Sequence, residues 1–144
     1  MLLVFNGSAT INKTDFFSVF ESNSLDEIEV QILVLEKEKS SNEKNAFLGA
    51  LLMKKARFMK TPKDKIDVFK KGKVLLEDAI KKDPENTTYR FLRLAIQENC
   101  PKILKYNSQI QADAKIVKLN LSKLDATTKK YIHRYAENSS ALIL

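Results

Sequence analysis

A chain of 144 residues, 44% hydrophobic and 30% charged, is one domain's worth of foldable polymer, and that balance excludes a disordered tail. Three glycines, three prolines and no tryptophan argue against a turn-rich β fold; Leu, Lys, Glu, Ala and Ile are helix residues, so the expectation is all-α. The net charge of +7 is divided, with −4 on residues 1–40 and +11 on residues 41–144, an acidic front end beside a basic body.

The chain opens with an apolar run, Leu2 to Phe5, followed by the small residues Gly7 and Ala9 two apart, as at a signal-peptidase site. Two readings of residues 1–12 stay open: a secretory-signal remnant, which implies an exported or periplasmic protein, and a short segment packed on the body. No stretch approaches the ~20 apolar residues of a membrane span. Residues 13–144 read as a single helical domain.

Thr14 is expected to cap a short first helix with Phe16, Phe17, Val19 and Phe20 on its apolar side. Ser24 and Glu27 make a capping box for the second. There Ile28, Ile32 and Leu35 form the stripe, and Val30, Leu33 and Val34 widen it toward neighbours on two sides. Ser41 or Asn42 caps the third helix, which carries Ala46, Phe47, Gly49, Ala50 and Met53 and stops near Lys60. Thr61-Pro62 is the cap and first-turn proline of a long fourth helix, to about Asp83. Its inward stripe is Ile66, Phe69, Gly72, Leu76, Ala79 and Ile80; Gly72 and Ala79 leave no bulk to hold a neighbouring helix off. Asn86 or Thr87 caps the fifth, the sixth starts at Pro101 and runs to Leu121, and Asp125 caps the last, with Tyr131, Ile132 and Tyr135 inward. About seven helices joined by short turns imply antiparallel hairpins, stacked on one another.

The third to fifth segments resemble the tetratricopeptide repeat. Leu48-Gly49 looks like the family's first-helix pair, and Gly72, Leu76, Ala79 and Pro84 match the spacing of its second helix. Gly49 and Gly72 stand 23 positions apart, wider than the family spacing, and Leu52 stands where an aromatic is usual. The chain is also similar to short, exported bacterial helical-repeat proteins of unassigned function. The resemblance implies a right-handed array of hairpins that binds a peptide or helix of another protein in a groove, not a substrate.

Two constellations carry the candidate sites. Lys54, Lys55 and Arg57 open a basic cluster running to Lys73 across the Thr61-Pro62 turn: either a solvated helix end or a platform for an acidic partner or nucleic acid. Arg90, Arg93 and Gln97 fall at i, i+3, i+7, one polar stripe on an apolar helix. They either clamp a partner's carboxylate, with Tyr106 and Asn107 at the following bend, or pair with Glu77, Asp78 or Asp113 and fix packing. The apolar termini offer a route to a homo-oligomer. There is no Gly-rich phosphate loop and no Gly-x-Ser-x-Gly elbow, His133 is the sole histidine and Cys100 the sole cysteine. Neither catalytic residue, metal site nor cofactor is expected. The sequence therefore reads as a non-enzymatic protein-binding or scaffold module, with an electrostatic nucleic-acid binder as the alternative.

Overall fold

The computed structural model describes residues 11–144, and these are all-α: seven α-helices, with no strand among the described residues. The expectation of a signal remnant, and of export with it, falls mainly on residues 1–10, outside the described residues. The helices are α1 (Lys13–Glu21), α2 (Leu25–Lys37), α3 (Asn42–Ala56), α4 (Pro62–Lys82), α5 (Thr87–Glu98), α6 (Ile110–Asn120) and α7 (Ala126–Ala136).

All but α6 start at a side-chain oxygen that accepts a backbone N–H: Asn12, Ser24, Ser41, Thr61, Asn86 and Asp125. Each such cap is worth about 1 kcal/mol. Thr14, expected as the first cap, lies inside α1, because Asn12 Oδ1 takes the Asp15 N–H at 3.0 Å. The Ser24 box is half made: Ser24 Oγ accepts from Glu27 N at 3.3 Å, while the Ser24 N–H turns to Ser22 Oγ.

The sixth helix begins at Ile110, not Pro101. A 3-10 turn at Lys102–Leu104 ends with Lys105 in the left-handed region at φ 50°, and the chain then crosses toward α4. Tyr106 explains the crossing. Its buried ring meets Phe69 edge-on at 5.7 Å, and its Oη donates to Glu77 Oε1 at 2.6 Å.

The most extensive helix contact is between α3 and α4. A Cβ added at Gly49 would lie 2.6 Å from the Gly72 carbonyl oxygen, and one at Gly72 would lie 2.5 Å from the Gly49 carbonyl oxygen. The two backbones touch where neither residue has a side chain. Leu76 and Ala79 are buried in the same seam, and Asn42 Nδ2 donates to the Ala79 carbonyl at 3.0 Å.

An aromatic cluster on α1 holds the remaining elements. Phe16 stacks on Phe47 of α3 at 4.1 Å, and Phe17 packs on Phe91 of α5 at 6.3 Å and Tyr131 of α7 at 5.1 Å. Both phenylalanines are fully buried, each worth about 1.5–3 kcal/mol of transfer free energy. Lys13–Asp125 at 3.0 Å and Arg134–Glu21 at 2.8 Å tie α1 to α7 along the rim. In a linear repeat array each unit touches only its sequence neighbours; here the first and seventh helices meet. The tail after α7 returns to α5, where Glu98 accepts from Tyr135 Oη, Ser139 Oγ and the Ser140 and Ala141 N–H groups, and Leu142 is fully buried.

The expectation for α2 needs correction. Ile28, Ile32 and Leu35 are buried, but Val30, Leu33 and Val34 are 61%, 58% and 46% exposed. This helix packs inward on α3 and α1, and its other side faces solvent.

Candidate functional site

The C-terminal ends of α1, α3, α5 and α7, together with the first turns of α4, surround an open groove of about 780 Å³. Its floor is aromatic: Phe20, Phe69 and Tyr131 reach it by their edges, with Phe17 and Phe91 fully buried beneath them. Ile66 and Ile103 stand at its edge, Ile103 being 86% exposed. A concavity of this volume and apolar character suits a small ligand or several side chains of a peptide.

Four cations line it: Lys54, Arg57, Lys65 and Arg134. Helix C-termini carry partial negative charge, which favours cations where several converge. Lys54 shows this most directly. Its Nζ donates to the carbonyl oxygens of Phe20 and, at 3.2 Å, Ser22, closing the end of α1, and it lies 5.0 Å from the Phe20 ring centroid. Arg57 Nη1 donates to Asn23 Oδ1 at 3.2 Å. The two acids of the groove are already used: Glu21 by Arg134, and Glu98 by the tail. Burial pushes the Glu98 carboxyl up, but its donors from Tyr135, Ser139, Ala141 and Ser140 outweigh this and hold it below the usual carboxylate range. Among the described residues Arg57 and Lys65 have no carboxylate partner.

Burial, with the nearby Arg57 charge, lowers Lys54 from 10.5 to about 8, against the opposing pull of Glu21. The unfolded chain therefore binds this proton more tightly between about pH 8 and pH 10.5. Stability from this group should rise with pH across that window, the reverse of a lysine whose pKa a partner raises. Carbon-detected titration of the lysine side chains should show one resonance with a midpoint near 8, lost in Lys54→Met. A titration in which every lysine moves above pH 10 contradicts this placement.

Of the residues expected to bind a partner, the structure brings only Lys54 and Arg57 into the groove. Lys55 turns to the other side of α3 and pairs with Glu29 of α2 at 3.1 Å. The stripe Arg90, Arg93 and Gln97 faces α6 and the Tyr106 connector, and is occupied within the chain. Arg93 grips the fully buried Asp113 with Nε at 2.7 Å and Nη2 at 2.9 Å, and reaches Glu77 with Nη1 at 3.0 Å. Arg90 Nη1 adds a third bond to Asp113 at 3.1 Å. Burial pushes the Arg93 guanidinium down; the Asp113 hydrogen bonds and charge, then Glu77, override it and leave it raised. Gln97 Oε1 accepts from Gln109 N at 2.9 Å. Tyr106 is tied to Glu77 and Asn107 is exposed, and neither lines the groove. Burial, then the bond to Glu77, raises the Tyr106 phenol well above its ordinary value.

The rest of the basic cluster is scattered. Lys63 pairs with Asp67 at 2.8 Å, and Lys73 lies half-buried over the Tyr106 ring. Cys100 lines the groove, and burial raises its thiol, with Lys73 pulling weakly the other way. His133 is exposed, and among the described residues no three His, Cys, Asp or Glu side chains gather as metal ligands. No described helix is long and apolar enough to cross a membrane.

No protein-family model, curated protein or solved structure matches the chain. The tetratricopeptide resemblance rests on Leu48-Gly49 and the Gly72-to-Pro84 spacing. Sequence reasoning missed Lys65 as a groove residue apart from its cluster, and missed Glu98 and Arg134 altogether. Arg134 and Tyr131 are three apart on α7, a helix-face signal, but nothing local says that this face meets Glu21.

Proposed function

We propose that this protein is a peptide-binding module whose groove takes an amphipathic segment of a partner protein. Apolar anchors of that segment rest against Ile66, Ile103 and the edges of Phe20 and Phe69 that reach the groove, and its acidic side chains meet Arg57 and Lys65. The observation that carries the reading is the combination of an aromatic floor with two cations that no carboxylate of the described chain neutralises. Helix-in-groove recognition uses this division, with anchors at i, i+3 or i+4 and i+7 supplying apolar burial and rim charges selecting the partner. The tetratricopeptide-like hairpin of α3 and α4 supports the same reading, since it supplies one wall.

The test uses two labelled helical peptides with identical Leu and Phe anchors, one flanked by Glu and one by Lys, followed by fluorescence anisotropy. The acidic peptide should bind with micromolar Kd and the basic one about tenfold more weakly or worse. Arg57→Glu with Lys65→Glu should invert the preference. Ile66→Glu with Ile103→Glu, both at exposed positions, should abolish binding without changing the melting temperature. Failure of both peptides to bind, or binding indifferent to the Ile66 and Ile103 changes, overturns the proposal.

A further inference from the structure

The outer faces of α2 and α6 are complementary to each other, and this bears on a partner independent of the groove. α2 packs on α3 and α1, and α6 packs on α5, so the two lie at opposite ends of the helix order. On α2, Val30, Leu33 and Val34 are exposed at i, i+3, i+4 and flanked by the exposed acids Asp26, Glu27 and Glu36. The sole base among the exposed residues of α2 is Lys37 in the last turn. On α6, Leu119 is 67% exposed, two turns along the same face from the exposed Ala112, and here the flanking charges are Lys115 and Lys118, with Lys123 just beyond. The single acid of α6, Asp113, is fully buried on the opposite face. Leu119, Ala114 and Ala141, with Gln111, Lys115 and Lys118 around them, also border a shallow depression of about 260 Å³. One helix thus offers branched apolar knobs inside a mainly acidic frame; the other offers Leu119 and a shallow, partly polar seat inside a basic frame.

We propose that the chain associates head to tail with a second copy, the α2 face of one molecule docking on the α6 face of the next. The charge pattern favours this pairing over its rivals, because α6 against α6 opposes lysine to lysine and α2 against α2 brings together two faces that each carry three acids for the one base, Lys37. A heterologous contact of this kind leaves one free face at each end, so it propagates unless the rotation closes a ring. A contact through one helix face on each side falls short of the ~1,000 Å² that a stable interface needs, so association is expected to be weak and visible only in concentrated solution.

Sedimentation equilibrium from about ten micromolar to about one millimolar should show a mass rising with concentration past that of a dimer, and falling back as salt is raised from about 50 to about 500 mM. Leu33→Arg disables the α2 face and Leu119→Glu the α6 face; both positions are more than half exposed, so folding is kept and is checked by melting. Each variant alone should stay monomeric, with the association constant reduced at least about tenfold. Mixed, they should form a dimer and nothing larger, through the one intact α2 and the one intact α6. Self-association of Leu119→Glu alone, or of Leu33→Arg alone, overturns the proposal in favour of a like-with-like contact. A monomeric parent protein at all concentrations, or a mixture that stays monomeric, overturns it outright.

Discussion

Gly72→Ala is expected to destabilise the protein, although the same change in an ordinary helix interior stabilises by about 1 kcal/mol. The new methyl would sit 2.5 Å from the Gly49 carbonyl oxygen, 2.9 Å from the Met53 nitrogen and 2.9 Å from the Leu52 Cβ. Two of these are backbone atoms of α3, which cannot step aside without moving the helix. Separating α3 from α4 loosens the largest contact in the fold, and overpacking of this kind costs about 1–3 kcal/mol, occasionally more. For a chain of 144 residues that corresponds to a melting temperature lower by several degrees, roughly 2–4 °C per kcal/mol. Gly72→Leu should leave no cooperative transition, whereas Lys70→Ala, on the exposed side of the same helix, should change little. A Gly72→Ala protein melting at or above its parent would show that the two backbones are not in contact.

Asp113→Ala should cost more, about 3–5 kcal/mol, because it leaves charge buried without a counter-charge. Asp113 is fully buried and accepts two bonds from Arg93 and one from Arg90. Without it two guanidiniums face each other across an apolar seam, with only Glu77, on α4, remaining near Arg93. Urea denaturation of the parent, Asp113→Ala, Arg93→Ala and the double variant forms a cycle in which the double loses much less than the two singles added. If Asp113→Ala falls within about 0.5 kcal/mol of the parent, the size of an ordinary surface change, the pairing is not what holds α6 to α5.

Arg93 also illustrates how far a sequence carries. Its spacing from Arg90 and Gln97 marks a polar stripe, and the stripe can be paired in advance with Glu77, Asp78 or Asp113, but the residues alone do not choose among them. The structure chooses Glu77 and Asp113, and by doing so removes Arg93 from the groove. Tyr106 behaves likewise: the pattern from Ile103 to Leu121 suits a helix, yet a hydrogen bond to Glu77, 29 residues earlier, breaks it.

What the sequence determined by itself is local. Helical content, the caps at Ser24, Thr61 and Asp125, and the need for a close approach at Gly72 and Ala79 follow from side chains acting within one or two turns, where spacing alone sets geometry. The tertiary structure decided which faces meet. Lys13 pairs with Asp125 across 112 positions, α1 closes against α7, α2 keeps Val30, Leu33 and Val34 in solvent, and four helix ends converge to make the groove. An apolar stripe states that burial is wanted but not against what, and that choice belongs to the competition among all the stripes for one core.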